Sequence, residues 1–260
     1  MSESTRKSVA DSLEAEERLL PWMDYLLQDL WALGSATAQI LDCVELLELD
    51  REKSTALDLG CGKGAVLVQL AVRYGLRVTG IDATESFLEA ARHKAEEHGV
   101  SSRCEFRPGD IREYTADRHE FDLVILASLG GVLGSFKDTV KAMRRQVRSD
   151  GYILIDDGYL KEKKRLERKG YQHYCNHADT LAELTHWGDR LVHEISTSEM
   201  SREINDQYLE VIRRRSNELI REKPELEPEL SAYLRLQEEE CEVLERDLEG
   251  AMWVLQKQGE

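Results

Sequence analysis

Between Thr55 and Asp156, short apolar runs alternate with amphipathic stretches, and the first junction between them is Leu57-Asp58-Leu59-Gly60-Cys61-Gly62-Lys63-Gly64. This alternation and this turn restrict the chain more than any other feature. Apolar runs too short for buried helices, separated by helical periodicity, are the pattern of βαβ units around a mostly parallel sheet. Glycines where the first run meets the first helix permit a tight turn and let backbone approach a ligand closely. The expected fold is therefore α/β, with a ligand held where strand 1 turns into its helix.

Five strands follow in order: Thr55–Leu59, Arg77–Ile81, Cys104–Arg107, Phe121–Leu126 and Tyr152–Asp156. Helices are expected at Ala65–Tyr74, Glu85–His98, Phe136–Val147 and Ala178–His186, a sixth strand at Arg190–Ile195 and a seventh at Ala251–Gln256. Ahead of the sheet, residues from about Lys7 to Leu49 carry apolar positions at three- and four-residue spacing, interrupted at Gly34-Ser35. Between the last two strands, Ser198 to Gly250 reads as two long charged helices broken at Lys223-Pro224-Glu225-Leu226-Glu227-Pro228. The expected organisation is a helical cap over 1–50, an α/β ligand-binding core over 51–197, a helical insertion over 198–250 and a final core strand over 251–260.

Charge narrows the partners. The net charge of −16 repels phosphate backbones and anionic lipid surfaces, which argues against nucleic acid and membrane alike. No run reaches the roughly 20 apolar residues of a bilayer-spanning helix, and the first residues lack the apolar core of a signal peptide, so a cytoplasmic protein is expected. Its five cysteines are scattered without a CxxC pair and read as reduced thiols. Cys61 reads as a small residue that fits a glycine turn rather than as a nucleophile. His173, Cys175 and His177 do not make a recognised zinc spacing, and no metal is expected.

The acids around the turn discriminate among ligands. Asp82 follows Gly60 by 22 positions at the end of the second strand, where a carboxylate can accept both ribose hydroxyls of an adenosine. Asp110, just past the third strand, is placed for an exocyclic adenine amine. Asp58, beside the turn, would repel a pyrophosphate and attract an ammonium or sulfonium. The series Asp58-x-Gly60-x-Gly62-x-Gly64, Asp82, Gly109-Asp110 and Phe121-Asp122-Leu123-Val124 resembles, in order and spacing, the class I S-adenosylmethionine-dependent methyltransferases. That resemblance implies a Rossmann-like sheet of order 3-2-1-4-5-7-6 with an antiparallel last strand. It implies S-adenosyl-L-methionine as cofactor, with Gly60, Cys61 and Gly62 at the methionine moiety, Asp82 with Ala83 at the ribose, and Asp110 with the Ile111 backbone at the adenine. Ala127 and the residues after it would line the methyl side. Trp31 and Gly34, in Asp29-Leu30-Trp31-Ala32-Leu33-Gly34-Ser35, are similar to the lid of small-molecule members.

Two departures sharpen the expectation. Ser149-Asp150-Gly151 stands where the family often has Pro-Gly-Gly, and Ala127-Ser128-Leu129-Gly130 does not match the (D/N)PP(Y/F) of exocyclic-amine methyltransferases. Methylation of bases or glutamine by that mechanism is disfavoured. The expected reaction is methyl transfer to a small-molecule acceptor, with Asp157, His173 and His177 as the groups to take or orient its proton. Asp156-Asp157 and the run Tyr171-His173-Tyr174-His177 follow the fifth strand on the edge where open α/β sheets bind ligands. The alternatives are a non-catalytic S-adenosylmethionine- or S-adenosylhomocysteine-binding protein, an NAD-linked oxidoreductase, and a local basic groove at Arg213-Arg214-Arg215. The insertion reads as a lid or as a homodimer interface.

Overall fold

The structure, a computed structural model, describes residues 2–259. Seven strands form one sheet: β1 Thr55–Leu59, β2 Arg77–Asp82, β3 Cys104–Pro108, β4 Phe121–Ala127, β5 Val147–Leu160, β6 Arg190–Ser196 and β7 Leu248–Gln256. Their order is β3-β2-β1-β4-β5-β7-β6, as the resemblance implies. The first five run parallel, and β7 inserts antiparallel between β5 and β6.

Strand alternation gives each face its own core. Ala56, Leu123, Ile125, Leu154 and Val254 point to one face and meet helices α3 (Thr37–Glu45), α4 (Ala65–Tyr74) and α5 (Glu85–Glu97). Leu57, Val124, Leu126, Ile153 and Trp253 point to the other and meet α7 (Phe136–Arg144) and Leu184 of α8 (His177–Leu184); the short α6 (Ile111–Tyr114) contributes Ile111 on that side. With both faces covered, the strands read as apolar runs rather than alternating ones.

A third core lies off the sheet. Leu19, Met23, Leu26, Leu27 and Leu30 pack against Val211, Ile212 and Leu219 of α9 (Ser198–Glu222), Leu230 and Tyr233 of α10 (Glu227–Asp247), and Phe87. The N-terminal segment and the insertion thus share one apolar interior.

Several boundaries differ from the sequence reading. The N-terminal periodicity is not two helices. It is α1 (Glu3–Ser12), a 3₁₀ turn over Glu17–Trp22 containing Pro21, and the short α2 (Met23–Leu27), before an irregular stretch leads to α3. Ser2 caps α1 by accepting from the Thr5 N–H at 3.1 Å. α7 ends at Arg144, and β5 already begins at Val147. Ser149-Asp150-Gly151 is accordingly a kink inside β5, where the register against β4 shifts and Asp150 adopts φ 62°. β7 starts at Leu248 because the long β5 pairs with it down to Leu160.

Candidate functional site

Parallel strands deliver the residues that follow them to one edge of the sheet. Here that edge carries Gly60 and Gly62 after β1, Asp82 and Ala83 at β2, Gly109, Asp110 and Ile111 after β3, and Ala127, Ser128 and Leu129 at β4. Together they line a cleft of about 140 Å³, roofed by Thr5, Ser8, Val9 and Ser12 of α1. Gly60 has φ 80°, and a Cβ there would overlap Leu129 Cδ1, so only glycine suits the position.

The turn's amides are largely used within the protein. Gly60 and Cys61 donate to the Ile81 carbonyl at 2.8 and 3.1 Å, Gly64 to the Cys61 carbonyl at 2.9 Å, and Gly62 to Asp82 Oδ2 at 2.8 Å. The turn therefore offers a ligand its carboxylates and close backbone more than an amide cradle for phosphate.

The three acids are held differently. Asp82 accepts from Gly62 N through Oδ2 and from Thr84 N at 2.8 Å through Oδ1, while burial raises its pKa. Asp110 caps α6, accepting from Arg112 N at 2.9 Å, and also accepts from the Arg112 guanidinium and from Thr5 Oγ1 at 3.0 Å. The guanidinium chiefly holds its carboxyl down at about 2. An adenine amine at Asp110 would thus join an occupied carboxylate, with α1 tied to it through Thr5. Asp58 is only 4% exposed, and no donor among the described residues reaches it. Burial, with Asp82 nearby, pushes it up to about 7. A buried carboxylate without a donor is costly and favours a cationic ligand group.

Neither Trp31 nor the Cys61 side chain lines the cleft. The Trp31 indole N–H donates to the Lys63 carbonyl at 2.9 Å and its ring stacks on His98 at 5.4 Å. It braces the glycine turn from behind, and Leu33, two residues on, lines the cleft instead. The Cys61 side chain turns inward against Gly80, where a Cβ would lie 2.6 Å from its sulfur, and burial pushes its thiol well above the usual range. It is packing; its backbone is what lies in the turn. Gly34 lies against Ser128, on the wall of a second, larger cavity.

That cavity, about 440 Å³, adjoins the cleft through Leu33, Ser128, Leu129 and Val132, which line both. Ser128, a non-glycine residue at φ 56°, stands at the junction, with its N–H bound to the Asp156 carbonyl at 2.9 Å. Such strain persists only where the surroundings impose it and is common at functional sites. The β5 end places Asp156 and Asp157 on the wall. Asp156 accepts from Ala36 N at 2.9 Å and Asp157 from the Tyr174 hydroxyl at 2.6 Å; burial raises both to about 7. His173 lines the same cavity. Its Nδ1 donates to the Gly170 carbonyl at 2.9 Å, leaving Nε2 as a buried acceptor without a partner, and burial lowers its pKa.

His177 is not brought there. As the first residue of α8 it pairs with Glu194 of β6 at 2.6 Å and packs on Tyr159, away from the cavity. Its neighbourhood to His173 in sequence is undone because Asn176 caps α8 and turns the chain. Arg213, Arg214 and Arg215 do not make a basic groove: Glu238 takes the first and Asp29 the other two.

Residues not anticipated complete the cavity: Ser8 and Glu14 from the N-terminal segment, Tyr208 of α9, and Gln237, Glu240 and Cys241 of α10. Glu240 accepts from the Tyr171 hydroxyl and is raised to about 7 by burial. Its signal in the sequence was its place on the stripe Tyr233, Gln237, Glu240, Cys241, Leu244, whose helical spacing faces the interior.

A methyltransferase-domain family model matches residues 50–213. Among curated proteins, the uncharacterized protein YjhP of Escherichia coli is 31% identical over 106 residues, 41% of this chain and 42% of its own length. The putative methyltransferase YqeM of Bacillus subtilis is 34% identical over 109 residues, 40% of this chain and 42% of its own. The matches thus span about two fifths of these relatives. The solved structure of a SAM-dependent methyltransferase from Geobacter sulfurreducens, in complex with S-adenosyl-L-homocysteine, superposes with a TM-score of 0.77 at 21% identity, covering 91% of this chain and 97% of that one.

Proposed function

The chain belongs to the class I S-adenosylmethionine-dependent methyltransferases, and from that premise we propose that it moves a methyl group from S-adenosylmethionine, held in the smaller cleft, to a small molecule held in the larger cavity. The observation that carries this reading is the shared wall at Ser128 and Leu129, which sets two adjoining volumes of different character end to end. Asp82 suits the ribose hydroxyls, and Ile111 with Asp110 the adenine. Asp58 suits the cationic end, since its buried carboxylate meets no donor of the chain itself. An NAD-linked reading fares worse, because the turn's amides are consumed internally and Asp58 would face a pyrophosphate.

Transfer from a sulfonium is an in-line displacement, so alignment of nucleophile and methyl and exclusion of water supply most of what the protein must do. α1 and the two long helices form the enclosure. Asp157 and His173 Nε2 are the acceptors available to hold the nucleophile's proton; both lie on the cavity wall, as His177 does not. A location in the cytoplasm fits a chain in which no described helix is long and apolar enough to cross a membrane.

Calorimetric titration of the protein with S-adenosylhomocysteine and with NAD, repeated on Asp82→Ala, tests the cofactor. Micromolar binding of the first, lost in the variant and absent for NAD, is expected. Binding of NAD alone, or of neither, would overturn the reading. Failure to produce S-adenosylhomocysteine from S-adenosylmethionine with any acceptor, despite tight binding, would favour the non-catalytic alternative.

A further inference from the structure

The buried floor of the larger cavity is rich in acceptors. Asp156, Asp157, Glu240 and His173 all line it, and each offers an acceptor. Among the described residues, no donor reaches the buried Nε2 of His173, and Asp156 receives only the Ala36 amide. Half-buried Arg168, behind the wall, is held by Glu14 and the Leu236 carbonyl, and Arg202, which lines the cavity without a partner among the described residues, is exposed. The lysines on the wall are at the exposed rim: Lys161 donates to the Glu245 carbonyl, and Lys169 pairs with Asp11. Inside, Tyr171 and Tyr174 lie ring to ring at 5.4 Å, the first donating to Glu240 and the second to Asp157. The floor is thus two carboxylates bound by two adjacent tyrosines, the Tyr171 ring carrying the Arg168 guanidinium at 5.6 Å and the Tyr174 ring lying 4.0 Å from the His173 imidazole, whose Nε2 has no partner among the described residues. At this floor a hydroxyl or a carboxylic acid would bring too few donors, and a carboxylate would meet a cation only at the exposed Arg202. An ammonium brings a positive charge and several N–H groups, which carboxylates and an imidazole nitrogen can accept.

We propose that the methyl acceptor is a small amine, which enters as its ammonium, is held between Asp157 and Glu240, and gives one proton to Asp157 before reacting. The inference rests on the larger cavity being the acceptor site. The ammonium N–H bond breaks and Asp157 becomes the neutral acid, leaving a free pair on nitrogen. That pair forms the N–C bond to the methyl carbon while the C–S bond breaks, its electrons staying on sulfur as the thioether of S-adenosylhomocysteine. The product is the N-methylammonium, and Asp157 returns its proton to solvent as the product leaves. Charge balances: ammonium, sulfonium and carboxylate become N-methylammonium, thioether and acid.

The test is methyl transfer by the full chain from S-adenosylmethionine to matched probes, read as S-adenosylhomocysteine formed. Suitable sets are cyclohexylamine, cyclohexanol and cyclohexanecarboxylic acid, then 2-phenylethylamine and 2-phenylethanol, then butylamine and butanol. Amines are expected to react at least 10-fold faster than their partners. Asp157→Asn is expected to lower kcat about 100-fold and Glu240→Gln to raise the amine KM about 10-fold, with S-adenosylhomocysteine affinity within twofold in both. Should Asp157→Asn fail to fold, Tyr174→Phe, which removes the donor to Asp157, is expected to alter the amine KM and not that cofactor affinity. Equal or faster transfer to alcohols or acids, transfer to none of the amines, or unchanged kinetics in the variants overturns the proposal while leaving the cofactor reading intact. Absence of S-adenosylhomocysteine binding to the unaltered chain overturns the cofactor reading and this inference with it.

Discussion

The cleft and the cavity are both acidic, yet they hold their acids in opposite ways. In the cleft, Asp82 receives two backbone N–H groups and Asp110 a guanidinium and a hydroxyl, so these carboxylates are fixed by the protein's own donors before any ligand arrives, although burial raises Asp82 too. In the cavity, Asp156, Asp157 and Glu240 each have few donors and are raised to about 7 by burial. Satisfied carboxylates make a rigid template for neutral hydroxyls and amines of a cofactor. Underpaired ones make a site whose charge is completed by what binds. Asp58 belongs physically with the second group although it lies beside the first.

The sharpest way to break this contrast is Asp82→Ala. It leaves the Gly62 and Thr84 amides without their acceptor, a cost of roughly 3–5 kcal/mol for two charged hydrogen bonds, so cofactor titration should fall below detection and the thermal midpoint should drop. Gly60→Ala comes next. The φ of 80° and the overlap with Leu129 predict a loss of roughly 2–4 kcal/mol in denaturant unfolding, and Leu129→Ala in the same chain should recover the steric part only.

Asp58→Asn tests the underpaired class with the opposite sign. The folded pKa of about 7 lies above the ordinary 3.8, so the folded state binds more protons between about pH 4 and 7, and stability falls as pH rises through that window. The variant should therefore melt higher than the unaltered chain at pH 8, by a few degrees for roughly 1 kcal/mol. The difference should shrink toward pH 4, and cofactor binding should weaken at both. A variant that melts lower at pH 8 would show that Asp58 is paired in the free protein. The smallest effect expected is that of Trp31→Phe. Losing the hydrogen bond to the Lys63 carbonyl should cost about 1 kcal/mol, with cofactor affinity changed only a few-fold, because the indole touches the turn from behind.

The same contrast explains what was legible in the sequence. The cleft is assembled by residues that follow successive parallel strands, so the spacing of Gly60, Asp82 and Asp110 along the chain maps directly onto the sheet edge. The cavity draws on α1, the segment after β5, and α9 and α10, which meet through long-range packing such as Leu26 and Leu30 on Val211 and Leu230 and through pairs such as Arg168 with Glu14 and Tyr171 with Glu240. No local pattern encodes that meeting. Asp157 and His173 reach the cavity wall because they trail a strand, a position the sequence shows, whereas Glu240 is concealed in the run Glu238-Glu239-Glu240. Trp31 and His177 misled for a related reason: position in the chain placed them near the site, but a hydrogen bond to Lys63 and a helix cap at Asn176 turned them away.

The division of labour between the two volumes is tested most directly by a crystal structure of the protein with S-adenosylhomocysteine bound. The account predicts the ribose hydroxyls on Asp82, the adenine against Ile111 and the ligand's ammonium toward Asp58. The thioether sulfur should lie at Ser128, facing the cavity of Asp157 and Glu240. A ligand seated instead among Tyr171, Tyr208 and Glu240, with the Asp82 cleft empty, would contradict it.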